Sequence, residues 1–121
     1  MAVDVTKLDR ARLDDILTAS DDVAGFCEGL DLRGFQNEKV VRYAILHSLT
    51  IIGEAANRLS EELRVKDGEI LWRRIIAFRH RLVHNYGELD LELVWEVART
   101  LVPELRSQVA GTRLAFPKEL E

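Results

Sequence analysis

Apolar residues recur at intervals of three and four along most of the 121-residue chain, which is the spacing of one face of an α-helix. Side chains whose oxygens can cap a helix, Thr6, Asn37 and Asp90, stand where such stretches begin. Between the first two stretches, two glycines interrupt the pattern, and a loop or a short helical turn is expected there. The pattern predicts four long helices, at about residues 7–28, 38–64, 70–83 and 91–111.

The second predicted helix has an unusually wide apolar face. One stripe of core positions is continuous and consists of Val41, Ile45, Leu49, Ile52, Ala56, Leu59 and Leu63. A second stripe beside it consists of Val40, Ala44, Ile51 and Ala55. A helix on the surface of a monomer needs only one such stripe, so the width suggests a second packing partner, which another subunit can supply.

The third and fourth predicted helices also have core stripes. The core positions are Leu71, Ile75, Phe78 and Leu82 in the third, and Val94, Ala98, Leu101 and Leu105 in the fourth. We expect Pro103 to kink the fourth helix, and the pattern fades after Gly111. The chain is therefore predicted to be all-α, with one antiparallel four-helix-type bundle over residues 1–111 and a C-terminal tail over residues 112–121.

Composition limits the possible partners and location. The formal net charge of −4 gives the whole molecule no general attraction to nucleic acid or to anionic lipid, so any polyanion site must be local. The single cysteine, Cys27, cannot form an internal disulfide, and no secretory signal is recognisable. Charged residues interrupt every helix, which argues against a membrane span. These features predict a cytoplasmic protein.

The stretch FRHRLVHNY, residues 78–86, concentrates positive charge at the end of the third helix. A turn of about 100° per residue directs Arg79 into the apolar arc, where a guanidinium needs a carboxylate or a bound anion. Glu54 on the second helix is a candidate partner, either for Arg79 or for Arg58. On a straight helix His84 lies about 140° from Arg79. The two cooperate only if the helix ends near Val83 or if a second subunit contributes its own pair.

Less specific explanations exist for the same residues. His80 and Arg81 also suit the negative end of a helix dipole. His80 and His84 are four residues apart, as metal ligands on a helix can be, but no second pair accompanies them and no metal or other cofactor is expected. Arg73 and Arg74 suit either an RNA-steering patch or a solvated helix face. Trp72 and Trp95 suit the bundle or a subunit interface better than base stacking.

The motif also carries a resemblance to a known family. RHRLVHNY resembles the Arg-x4-His-x-Tyr motif of the HEPN superfamily, and specifically of the HepT-like toxins. IIGEAANRLSEEL, WRRIIAFRHRLVHNY and DLELVWEV are also similar to that family in sequence and order. The resemblance implies a helical bundle, a homodimer or higher oligomer with two motifs in one cleft, and metal-independent cleavage of RNA. It also implies a partner, a minimal nucleotidyltransferase (MNT) antitoxin.

The resemblance assigns roles to individual residues. It places Arg79 and His84 in catalysis and makes Tyr86 the target of AMP transfer by the antitoxin, and His80 is a polar residue of a type that the family accepts after the arginine. From their positions, we expect His80, Asn85 and Glu54 to be auxiliary residues. The chemistry suits these side chains, because RNA carries its own 2′-OH nucleophile and needs only a base, an acid and a cation. Alternatively, the Tyr86 ring simply packs on the end of the bundle. The chain as a whole could instead be a non-catalytic accessory subunit that binds a nucleotide or a nucleotidyltransferase, or a plain dimerisation module.

Overall fold

The computed structural model describes residues 5–68 and 72–116, and these residues form helices and turns without a strand. The predicted all-α fold is confirmed. The elements, in chain order, are α1 (Val5–Cys27), α2 (Leu32–Asn37), α3 (Lys39–Asn57), α4 (Glu61–Lys66), α5 (Trp72–His84), a 3-10 turn (Tyr86–Glu88), α6 (Leu91–Glu96), a π-helical segment (Val97–Leu101) and α7 (Val102–Leu114).

Helix α3 is central, because it packs against α1 on one side and α5 on the other, while α7 packs against α1. The predicted core stripes fill the interior. Ile45, Leu49 and Ile52 of α3 are completely buried, and so is Ile75 of α5. Burial of each such large apolar side chain contributes about 1.5–3 kcal/mol. Leu71, a predicted core position, lies outside the described residues.

The predicted helix over residues 38–64 is wrong in one respect, because the chain breaks after Asn57 and α4 begins at Glu61. Ser60 caps α4, and its hydroxyl accepts a hydrogen bond from the Leu63 amide at 3.2 Å. The buried carboxylate of Asp9 in α1 accepts bonds from the Ser60 amide (2.8 Å) and hydroxyl (2.6 Å). The break therefore satisfies a buried carboxylate that a continuous helix would leave without these donors.

Two of the three predicted helix caps differ from the structure. Helix α1 already includes Val5, so Thr6 falls inside it. Asn37 is the last residue of α2, and Glu38 occupies the position before α3. Asp90 caps α6 as predicted, because its carboxylate accepts bonds from the Glu92 (3.0 Å) and Leu93 (3.4 Å) amides. Cap positions shift by a residue easily, because neighbouring polar side chains compete for the same N–H groups.

The last predicted helix contains a π-helical segment, Val97–Leu101, and Pro103 follows it at the second residue of α7. Proline has no amide hydrogen and crowds the preceding turn, so a wider turn accommodates it. Helix α7 continues to Leu114, and Thr112 is buried. Residues 112–114 therefore extend the last helix, whereas residues 117–121 of the predicted tail lie outside the described residues.

Ion pairs tie α7 to α1 at the surface. Arg106 Nε lies 2.7 Å from Asp21 Oδ1, and Arg113 Nε lies 2.7 Å from Asp14 Oδ1. The hydrogen bond to Asp21 raises the pKa of Arg106. Because these pairs are exposed, they fix the register of the helices more than they stabilise the fold. Within residues 5–68 and 72–116, no helix has the length and apolar character needed to cross a bilayer.

Candidate active site

Arg79 lies on the face of α5 that packs against α3, and it meets a glycine there. A Cβ placed on Gly53 would lie 2.7 Å from Arg79 Cγ and 3.2 Å from the Ile75 carbonyl oxygen. No larger side chain fits at position 53 without moving α5. The glycine therefore lets the two helices approach closely and seats the aliphatic stem of Arg79 between them.

The Arg79 guanidinium is partly withdrawn from water and incompletely paired. Its Nε is buried and has no hydrogen-bond acceptor among the described residues. Glu54, the candidate partner, instead forms an i,i+4 pair with Arg58 at 2.7 Å. A partly desolvated cation without a carboxylate favours an anion at its outer edge. Arg79 is therefore available to a phosphate.

His84 is the last residue of α5. The helix thus ends within one residue of the predicted position near Val83, but His84 continues the helix and does not fold back towards Arg79, as one of the two predicted arrangements required. The ring centroids of His84 and His80 lie 4.2 Å apart on the exposed side of the helix. Since five helical residues separate Arg79 from His84 by about 140°, one chain does not bring the two side chains to a common face.

Asn85 and Tyr86 follow the helix end. The Asn85 amide donates to the Arg81 carbonyl at 2.9 Å, and the Asn85 carbonyl accepts from the Glu88 amide at 2.9 Å. Asn85 and Arg81 line a cavity of about 120 Å³ with Phe78. Helical spacing places Phe78 about 160° from His80 and about 120° from His84 around α5, so the cavity is not centred on the histidine pair. The backbone of Tyr86 begins the 3-10 turn, while its side chain lies outside the described part of the chain.

Part of the wide apolar arc predicted for α3 lies at the surface of the chain. Val40 is 83% exposed, Ile51 is 36% exposed, and Val83 on α5 is 46% exposed. Val40 and Ile51 are eleven residues apart, so they lie within about 20° of each other around the helix axis. Ala55, which was predicted to share this stripe, is buried.

Two features near the motif were not predicted from the sequence. Gly53 reads as an ordinary helical glycine until its contact with Arg79 is known. Tyr43 is half exposed, with Lys39 Nζ and Arg42 Cζ each 5.6 Å from its ring centroid. A groove of about 200 Å³ runs from Tyr43 past His47 to Leu82 on α5. The spacing of Lys39 and Tyr43 was a possible signal for this basic and aromatic patch.

Among the described residues, no further side chain completes a metal site with His80 and His84. Over the ranges 5–68 and 72–116, no group of three or more His, Cys, Asp or Glu side chains is arranged to hold a metal ion. What the site offers is a half-buried guanidinium, two adjacent imidazoles and an exposed apolar border. Guanidinium and imidazole groups are the kinds of side chain that proteins use to bind phosphate and to transfer protons.

The chain is similar to known proteins over most of its length. A family model described as "Ribonuclease HepT-like" matches residues 16–111. A Methanocaldococcus jannaschii protein named "Putative RNase MJ1380" is 34% identical over 83% of this chain and 92% of its own. A Caldanaerobacter subterraneus protein named "Putative RNase TTE0752" is 32% identical over 85% of this chain and 92% of its own. "Probable ribonuclease HepT" from Thermococcus cleftensis is 27% identical over 84% of this chain and 92% of its own. No solved structure gave a significant match.

Proposed function

Because the chain belongs to the ribonuclease HepT-like family of the HEPN superfamily, we propose that it is an endoribonuclease with an active site formed by two subunits. The observation that carries the proposal is the Arg79 side chain, seated on Gly53 with a buried Nε that lacks an acceptor among the described residues. A phosphate at the outer edge of the guanidinium supplies the missing charge.

The reaction needs only groups that the substrate and the motif contain. One His84 imidazole takes the proton of an RNA 2′-OH, whose oxygen attacks the adjacent phosphorus. The bond from phosphorus to the 5′-oxygen breaks, and the other His84, protonated at the start as imidazolium, gives its proton to that oxygen. Arg79 stabilises the charge on the phosphorane oxygens. The products are a 2′,3′-cyclic phosphate and a 5′-OH, and no metal takes part.

Two subunits are proposed because one chain has one motif histidine and directs it away from Arg79. In a two-fold dimer, the α5 helices face each other, so that the motifs of both subunits line one cleft and a single phosphate bound there can meet both His84 side chains. The exposed apolar residues Val40 and Ile51 of α3 and Val83 of α5 are suited to the seam. His80, which contacts His84, positions its ring.

We also propose that the protein is the toxin of a toxin–antitoxin pair and that a nucleotidyltransferase silences it. The Tyr86 hydroxyl attacks the α-phosphorus of ATP, pyrophosphate leaves, and the phenolic proton passes to solvent. The resulting adenylate places a bulky anion two residues from His84 and competes with the substrate phosphate for Arg79. Intact mass after co-expression with a neighbouring nucleotidyltransferase tests this step, with Tyr86→Phe as the variant expected to remain unmodified.

Cleavage of RNA by the purified protein in excess EDTA tests the activity. We expect RNA to be cut and DNA to survive, because DNA lacks the 2′-OH. His84→Ala should reduce the rate by about 10²-fold or more, the usual contribution of a general acid or base. His47→Ala, which removes an exposed histidine outside the motif, is the matched control. A non-catalytic accessory subunit would bind nucleotide or a nucleotidyltransferase but leave the RNA intact.

A further inference from the structure

A second concave surface lies between α4 and α5, away from the histidine pair. This α4–α5 groove has a volume of about 670 Å³. Its lining includes Glu61, Arg64 and Val65 of α4, and Trp72, Arg73 and Ile76 of α5. Sites for small ligands have volumes of this size and usually combine an apolar lining with a few polar groups.

The groove contains two hydrogen-bond donors without acceptors. Arg64 Nε and Trp72 Nε1 are both buried, and neither has an acceptor among the described residues. A buried donor without an acceptor destabilises the folded state relative to a satisfied one. Native proteins leave few donors in this state, and ligand sites are among the places where they occur. A ligand oxygen that enters as the Arg64 side chain shifts would relieve the cost.

The charges of the groove favour an anionic ligand. Arg64 and Arg73 contribute two guanidinium groups, whereas Glu61 is the one carboxylate among the described lining residues. Guanidinium groups bind the paired oxygens of a phosphate or a carboxylate. Val65 is 73% exposed and Ile76 is half-buried, so apolar surface flanks these cations. The lining therefore suits an oxyanion attached to a larger group with apolar faces.

The position of the groove on α5 indicates which oxyanion it takes. Trp72 and Arg79 are seven residues apart, so they lie within about 20° around the axis and about 10 Å along it. A strand whose phosphate contacts Arg79 and which follows this face of α5 towards its N-terminus therefore reaches Trp72 and Arg64. An acidic protein partner would have no reason to be aligned with Arg79.

We propose that the α4–α5 groove binds a phosphate of the RNA strand, next to the one that Arg79 holds. This inference rests on the proposed function. It adds a second contact to the substrate, so that the enzyme binds a strand of several nucleotides and discriminates against a dinucleotide. Arg64 and Arg73 hold the phosphate, the Trp72 indole donates to one of its oxygens, and Val65 and Ile76 contact the sugar or base.

The indole N–H resonance of Trp72 reports directly on the groove. Trp95 is the other tryptophan of the chain, lies 5.3 Å from the Phe35 ring and provides the internal control. The protein is titrated in NMR experiments with a ten-nucleotide RNA methylated at every 2′-oxygen, which cannot be cleaved. With this RNA, we expect the chemical shift of the Trp72 signal to change and that of Trp95 to remain constant. With a dinucleotide, we expect both chemical shifts to remain constant.

Affinity measurements identify the side chains. Arg64→Gln should weaken binding of the ten-nucleotide RNA several-fold and make the slope of log K against log salt less steep by about 0.7, the value for one phosphate contact on a single strand. Trp72→Phe, which removes the donor and keeps a ring, should weaken binding less. Arg74→Gln is the control, because Arg74 lies on the opposite face of α5, and it should leave affinity and slope close to those of the native protein.

The outcomes separate this inference from the proposed activity. A constant Trp72 signal at saturating RNA would overturn the inference, even if His84→Ala abolishes cleavage. A Trp72 shift with inorganic phosphate or with an oligoglutamate peptide but not with RNA would also overturn it, in favour of a free anion or an acidic protein. A shift with RNA in a protein that does not cleave would leave the groove as an RNA site and remove only the proposed activity.

Discussion

At the scale of single residues, the contact between Gly53 and Arg79 determines how the motif is presented. The direction of the Arg79 side chain followed from the sequence. Arg79 comes seven residues after Trp72 and four after Ile75, so on a helix it lies on the same side as these apolar residues. The identity of the surface it meets did not follow, because that depends on how α3 crosses α5. The glycine was therefore missed, and Glu54, which pairs with Arg58, was considered as a partner for Arg79 in its place.

Gly53→Ala tests this contact. The added methyl group would overlap the Arg79 stem, so α5 must move away from α3. We expect a loss of about 1–3 kcal/mol in the free energy of unfolding and a lower rate of RNA cleavage. Gly25→Ala in α1 is the control, because nothing lies within 4 Å of its added Cβ, and it should stabilise the helix by up to about 1 kcal/mol. Equal stability of the two variants in urea denaturation would refute the contact.

Cys27 makes the stability of the fold depend on pH, and this effect does not involve the motif. Burial raises the pKa of its thiol, while the positive charge of Arg99 lowers it by a smaller amount. The folded state therefore keeps the proton to higher pH than the unfolded chain. The contribution of the Cys27 thiol to stability is complete below the ordinary thiol pKa of about 8.5. It is lost as the pH rises through the higher pKa that the thiol has in the folded state.

The stability difference between the native protein and Cys27→Ala measures this effect. We expect the difference to be constant between pH 6 and 8 and to fall above about pH 8.5, because only the native sequence loses stability through the thiol. Chemical denaturation at a series of pH values provides the measurement. A difference that grows with pH would mean that the folded state favours the thiolate.

At the scale of elements, periodicity located the helices but did not reveal where α3 ends. Ala56, Leu59 and Leu63 keep helical spacing across the break, so the apolar stripe gives no indication of it. The local signal is the N-terminal chemistry of α4, with Ser60 as the cap and Glu61 and Glu62 in the first turn. The other cause, the bonds to Asp9, is a contact between residues 51 apart in sequence, and no local pattern encodes it.

Ser60→Ala should therefore destabilise the fold more than the loss of an ordinary cap does. It removes the cap of α4 and leaves one oxygen of the buried Asp9 carboxylate without its hydroxyl donor. We expect a loss of about 2–3 kcal/mol, against about 1 kcal/mol for a cap alone. Ser107→Ala, an exposed serine in α7, should leave the free energy of unfolding within about 0.5 kcal/mol of the native value. Similar values for both variants would contradict the joint role of Asp9 and Ser60.

At the scale of the whole molecule, the sequence predicted the helical bundle, and the wide apolar arc of α3 divides between its core and its surface. Ile45, Leu49 and Ile52 fill the core, and Val40 and Ile51 remain exposed. The sequence could not place His84, because the end of α5 depends on the turn at Tyr86–Glu88 that follows it. The sequence also left open whether Arg79 and His84 share a face. The structure shows that α5 includes both residues, and they therefore lie on different faces of one helix.

Ile51→Arg tests whether this surface is the seam between subunits. A charge in an apolar interface is costly, so we expect the variant to be monomeric and to lose RNA cleavage in parallel. Leu114→Arg is the control, because Leu114 is 85% exposed at the end of α7, far along the chain from the motif. Analytical ultracentrifugation gives the mass of each variant. A monomeric Ile51→Arg variant that cleaves at the native rate would exclude a shared active site.

Mixed dimers test the central claim most directly. A dimer purified with two affinity tags, one subunit native and the other carrying His84→Ala, has one motif imidazole instead of two. If the two subunits share acid and base, its rate should fall to nearly that of the dimer with both histidines replaced, about 10²-fold below native. A mixed dimer that retains half of the native rate would contradict the account, because each chain would then contain a complete active site.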